Sequence, residues 1–130
     1  MLIDIHIHTR QFSPDSSIDP EEAILKAKES GLHGICFTDH NKGWDMVEIE
    51  RLRSKYSYPL FAGAEIDTVE GHILVFGADI KVEGPLRIVK LREIVSGVGG
   101  FMIAAHPLKG YRVFNPADLN LMPHRPLNGL

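Results

Sequence analysis

The chain has one cysteine in 130 residues, so no internal disulfide can staple it, and Cys36, set between Ile35 and Phe37, reads as a core position in a reducing compartment. No run of five or more like charges occurs, and the formal net charge is −3. The long-range attraction that a general polynucleotide or anionic-membrane binder needs is therefore missing. No apolar segment approaches the roughly 20 residues that span a bilayer. Met1-Leu2-Ile3-Asp4 reaches a charge too soon for the basic and apolar regions of a secretory signal, so a cytoplasmic location without a membrane is expected. With 44% hydrophobic and 24% charged residues, the composition is that of one domain with a packed core.

Alternating elements fill most of the chain. Leu2 to His8 reads as a strand, and Asp19-Pro20-Glu21-Glu22 as a helix start with a capping carboxylate, a first-position proline and acids at the positive dipole end. Ala23, Leu25 and Ala27 recur along that helix, Ser30-Gly31 stops it, and Gly34 to Thr38 follows as a buried strand. Asp45 to Tyr56 is a second helix through Met46, Ile49 and Leu52; Pro59 to Ala64 is a strand, with Leu74-Val75-Phe76 paired to it as a hairpin. Pro85 to Val95 is a third helix through Leu86, Val89 and Ile94, and Phe101 to Ala105 a last core strand. Such alternation predicts a mainly parallel sheet or part of a barrel. After His106-Pro107 periodicity is lost among Pro107, Pro116, Pro123 and Pro126.

The chemistry sits at the strand ends. Asp4-Ile5-His6-Ile7-His8-Thr9 places both imidazoles on one face of a strand, where they can grip one ion. Asp39-His40, Glu65 and His106 end three further strands, where ligands gather in parallel sheets. Singly, each has a bland reading: a surface histidine, or a carboxylate capping a turn. Jointly, four strand ends carrying metal-compatible groups point to one metal site. His33 matches no such position and is expected to be exposed.

Through Asp4 to Thr9, Ser13-Pro14-Asp15, Thr38-Asp39-His40-Asn41, Gly63-Ala64-Glu65, Gly71-His72 and Ala105-His106-Pro107, the chain resembles the polymerase and histidinol phosphatase (PHP) family over residues 2 to about 107. The resemblance implies a distorted (β/α)7 barrel that binds up to three metal ions and hydrolyses phosphoesters, most like the small stand-alone members acting on nucleotides or short oligonucleotides. It assigns His6 and His8 to a first metal, Glu65 as a bridge, His72 and His106 to a second, and Asp15 and His40 to a third. The expected fold class is thus α/β, a partial or truncated barrel of this type with mainly parallel strands. Residues 1–107 would form the metal-binding core and residues 108–130 an irregular proline-rich tail of the same domain.

Mixed imidazole and carboxylate ligation suits zinc, manganese or iron, with one to three ions per chain expected. A bridging carboxylate can hold two cations roughly 3.5–4 Å apart, and water acidified by them would supply a hydroxide to attack phosphorus. Glu65, His6, His8 and His40 then form the catalytic set. Arg10, Lys42 and Arg112 are candidate phosphate contacts, set against the bland reading of solvated surface cations. Asp4 and Asp39 are expected to orient the neighbouring histidines.

The family's later Asp-x-His pair and barrel-closing strands have no counterpart here. Asp118 and His124 are the only tail residues of the right types, at the wrong spacing. The first and third sites are each expected to be one ligand short, and Glu65 with His72 and His106 to be the best-occupied site. An open barrel edge needs cover from the tail or from a second copy of the chain, which makes a truncated sequence or a homo-oligomer the expectation. Two alternative functions follow: a catalytically incomplete fragment acting as a metal-stabilised binding or assembly module, and a polymerase-associated PHP domain.

Overall fold

A computed structural model describes residues 1–106 as β1 (Ile3–Ile7), α1 (Pro20–Glu29), β2 (Gly34–Phe37), α2 (Met46–Tyr56), β3 (Leu60–Asp67), β4 (His72–Phe76), α3 (Ile88–Gly97) and β5 (Phe101–Ala104). The strands form one sheet in chain order; β1, β2 and β3 pair in parallel, and β4 pairs antiparallel with both β3 and β5. β4 alone runs against the rest, so four of the five strands point the same way while the pairings divide into two parallel and two antiparallel, with the expected β3–β4 hairpin. Among the described residues β1 and β5 each pair on one side only, which makes an open half-barrel. None of the described helices is long and apolar enough to cross a membrane.

Local chemistry sets two of the helix starts. The Asp19 carboxylate accepts the Glu21 and Glu22 amides and Pro20 opens α1; Asp45 accepts the Val47 amide at the start of α2. α3 begins at Ile88, later than expected, and Arg87 supplies no side-chain cap. Its Ile88 amide is instead held at 2.9 Å by Glu70 Oε2, from the turn between β3 and β4.

The buried helix faces differ in detail from the expected ones. α1 buries Ile24 and Ala27 while Leu25 is exposed, α2 buries Ile49 and Leu52 while Met46 is exposed, and α3 buries Ile88, Leu91 and Val95 while Val89 and Ile94 are exposed. Each buried stripe keeps helical spacing. Where several apolar stripes are available, the placement of the helix on the sheet decides which one is covered.

Two cores lie under the helices. One joins Ile24, Ile35, Phe37, Trp44, Ile49, Leu52 and Leu60; the other joins Ala64, Ile66, Ile73, Val75, Ile88, Leu91, Val95, Met102 and Ala104. On β3 the even-numbered Leu60, Ala64 and Ile66 enter these cores, so strand alternation turns Gly63, Glu65 and Asp67 to the opposite face. A Cβ on Gly63 would lie 2.5 Å from the Val75 carbonyl oxygen, so only glycine permits the close approach of β3 to β4 two residues before Glu65.

Candidate metal centre

The histidines converge at one end of the sheet. His6 lies near the end of β1 with His8 just beyond it, His40 follows β2, and His106 follows β5. β4 runs the other way and so begins at this end: His72, its first residue, stands in register with Asp67, the last of β3. Beyond β2 the parallel pairing continues as an isolated His40–Glu65 bridge, with the Glu65 amide on Asp39 O at 2.9 Å and the Asn41 amide on Glu65 O at 2.8 Å. Asn41 and His106 both adopt left-handed backbone, φ 56° and 33°. Asparagine and histidine are the kinds of non-glycine residue that enter that region, and such conformations collect at functional sites.

Glu65 is fully buried and divides its two oxygens between two pairs of imidazoles. Oε2 lies 3.0 Å from His6 Nε2 and 2.5 Å from His8 Nε2; Oε1 lies 3.1 Å from His72 Nδ1 and 3.2 Å from His106 Nε2. Burial alone would push this carboxyl up, but the His6 hydrogen bond and the charges of His6, His8 and His40 outweigh it and hold Glu65 down at about 2. A second carboxylate, Asp15, takes His40 Nε2 at 3.0 Å and stands 3.5 Å from His8 Nδ1. The His40 hydrogen bond holds Asp15 below its ordinary value. Burial pulls His40 down, yet the Asp15 hydrogen bond and the Glu65 charge leave it raised.

Three donor sets result, His6-His8-Glu65, Glu65-His72-His106 and His8-Asp15-His40, the ligand atoms of each lying within 4.8 Å of one another. All seven expected ligands are brought together. The third set also includes His8, which shows Nε2 to one set and Nδ1 to another. Imidazole nitrogens mixed with carboxylate oxygens suit divalent metal ions, and a carboxylate with one oxygen in each of two sets could serve both, so the residues could hold metal ions.

Asp39 organises this end of the sheet in a way the sequence reading missed. Its buried carboxylate accepts the Thr9 amide at 2.6 Å, the Thr9 hydroxyl at 2.8 Å, the Ser13 hydroxyl at 2.5 Å and the Trp44 indole at 2.7 Å. It thereby ties down the loops that carry His8, Asp15 and His40, instead of orienting an imidazole as expected. Asp4 likewise meets the His6 backbone amide, at 3.0 Å. Asp67 was also missed, although its place two residues after Glu65 on an alternating strand is a legible signal.

The expected phosphate contacts have partners within the fold. Arg10 pairs with Asp19 at 2.6 Å, and Lys42 Nζ lies 4.3 Å from the centre of the Phe12 ring. Arg112 and the tail residues Asp118 and His124 lie outside the described residues. His33 is exposed as expected, and its Nδ1 accepts the Leu2 amide at 3.0 Å. A cleft of about 840 Å³ opens from His6, His8 and Asp15 along Ser16 and Ile18 to the flank of α1.

The PHP domain family matches the sequence over residues 4–112. An uncharacterised protein of Methanocaldococcus jannaschii is 30% identical over 136 aligned residues, spanning 93% of this chain and 78% of that protein. Among solved structures, a Bifidobacterium adolescentis protein to which metal-dependent phosphoesterase activity is ascribed superposes with a TM-score of 0.76 at 18% identity, over 91% of this chain and 72% of its own. An amidohydrolase of Chromobacterium violaceum, with sulfate bound and no metal, gives a TM-score of 0.66 at 15% identity, over 85% of this chain and 70% of its own. At such identities the two structural matches establish the fold.

Proposed function

The chain belongs to the PHP domain family, and on that premise we propose that it is a metal-dependent hydrolase of phosphoesters. The observation that carries the reading is the buried Glu65 carboxylate, whose two oxygens each face a separate pair of imidazoles within hydrogen-bonding distance. His6 and His8 with Glu65 would hold one ion, His72 and His106 with Glu65 a second, and Asp15 with His40 a weaker third. Zinc, manganese or iron bound there would supply Lewis acidity toward a phosphoryl oxygen and acidify water at neutral pH.

The remaining work falls to the chain. Glu65, His6, His8 and His40 form the wall facing the reacting atoms, and the cleft beside His6, His8 and Asp15 admits the substrate. Arg10 and Lys42 neutralise phosphate charge after leaving Asp19 and Phe12; surface pairs of this kind cost at most about 1 kcal/mol to break. The net charge of −3 favours a small phosphorylated metabolite, a nucleotide or a short oligonucleotide over a long polyanion.

The test is full-length protein stripped of metal, reloaded with zinc, manganese or iron(II), and assayed on an aryl phosphomonoester, an aryl phosphodiester, nucleotides and short oligonucleotides. Turnover that returns on reloading and is lost in Glu65→Gln supports the reading. Protein that holds its ions in stoichiometric amounts and hydrolyses none of these refutes it.

A further inference from the structure

Asp67 has no role in the donor sets above, yet its position relates two of them. Its Oδ2 accepts the Asn41 side-chain amide at 3.1 Å, and its own backbone amide donates to Asn41 Oδ1 at 2.9 Å, a two-point clasp that fixes the carboxylate plane. The other oxygen, Oδ1, is turned inward. It lies 3.5 Å from His40 Nδ1 and 3.5 Å from His72 Nε2.

These are the outer nitrogens of the two rings. His40 directs Nε2 at Asp15, and His72 directs Nδ1 at Glu65, so the ligating side of each ring is already committed. His40 Nδ1 is also 3.9 Å from Glu65 Oε2, but Asp67 is nearer. At 3.5 Å neither contact to Asp67 is a formed hydrogen bond, and both His40 Nδ1 and Asp67 Oδ1 are buried without one. Buried polar groups are costly to leave unpaired. A small rotation of each imidazole removes that cost.

We infer that Asp67 is a positioning residue shared by two metal sites: its single inward oxygen accepts the outer N–H of both His40 and His72 when those rings ligate. Metal-binding histidines generally donate their second nitrogen to a carboxylate or carbonyl, which selects the tautomer and the ring orientation. Here one carboxylate does so for rings in two different donor sets. Glu65 couples the first and second sites from inside; Asp67 couples the second and third from behind. Asn41, in the left-handed conformation that asparagine tolerates, is the clamp that aims it.

The inference rests on the metal-binding part of the proposed function, and its test reads metal affinity directly. Zinc and manganese binding to the full chain are measured by calorimetry for wild type, Asp67→Ala and Asp67→Asn, together with the melting temperature of each metal-free protein. Loss of such a partner typically lowers metal affinity 10–100-fold. That loss is expected at the binding steps of the second and third sites and not at the His6–His8 site, with little change in metal-free melting, because Asp67 ends a strand and its side chain is 45% exposed. Asp67→Asn should be no better than alanine: with its oxygen kept on the Asn41 amide, its –NH2 opposes two N–H donors.

A purely structural role would not move a second signature. In zinc-loaded wild type, two imidazole N–H protons, from His40 Nδ1 and His72 Nε2, should be slow to exchange in proton NMR, and both should be lost in Asp67→Ala. Wild-type affinity in both variants, or both protons retained, overturns the inference and leaves the proposed function standing. A wild-type protein that binds no divalent ion overturns both.

Discussion

Replacing Glu65 with glutamine is the sharpest perturbation of this site, because it changes one oxygen to –NH2 at nearly constant shape. Oε2 serves His6 and His8, and Oε1 serves His72 and His106. Whichever way the amide is turned, one donor set faces an –NH2 that has no lone pair to give, and both sets lose the shared negative charge. The affinity of at least one ion should fall by 100-fold or more. For an ion present at 100 times its Kd, binding adds about 2.7 kcal/mol to the stability of the folded state. A 100-fold weaker site at the same concentration adds RT ln 2, about 0.4 kcal/mol. The difference of about 2.3 kcal/mol corresponds to a loss of roughly 10 °C of metal-induced thermal stabilisation for a domain of this size. Thermal melts of wild type and Glu65→Gln, with and without metal, read this directly, and elemental analysis counts the ions. Equal ion content and an equal metal-induced shift in the two proteins would refute the bridging role of Glu65.

Further expectations concern the frame around the site. Gly63→Ala forces a Cβ to 2.5 Å from the Val75 carbonyl, so overpacking of about 1–3 kcal/mol is expected in denaturant unfolding; an unchanged midpoint would contradict the close approach of β3 and β4. Cys36 is pushed up to about 12 by burial, aided by the nearby charge of Asp4, so iodoacetamide at pH 8 should leave the folded protein unmodified and label it only after unfolding. Rapid labelling under native conditions would place β2 at the surface. Asp19→Ala removes the α1 cap, which accepts two backbone amides, and should cost about 1 kcal/mol with metal content unchanged, as measured by urea denaturation and elemental analysis.

Of the seven expected ligands, His6, His8, His40, Glu65 and His106 were legible in the residues themselves because each lies at or near a strand end, where alternation puts His6 and His8 on one face, whereas Asp15, in the loop after β1, and His72 were given by the family resemblance. The starts of α1 and α2 were legible for a similar reason, since Asp19 and Asp45 cap through amides two or three residues away. What depends on distant partners was not. α3 is capped by Glu70 from another turn, and its buried stripe was chosen by the sheet from several apolar candidates. The reversal of β4 puts the first residue of a strand, His72, beside the last residue of its neighbour, and that decided which oxygen of Glu65 meets which ring. Asp39 binds four donors from three residues in two loops, and Asp67 comes within 3.5 Å of two imidazoles, one beyond β2 and one on β4. The sequence by itself determined the donor types and the strands that carry them, because residue chemistry and strand period are local properties. Only the tertiary structure decided which donors share a space and which carboxylate stands behind them, because those distances depend on how the strands pair.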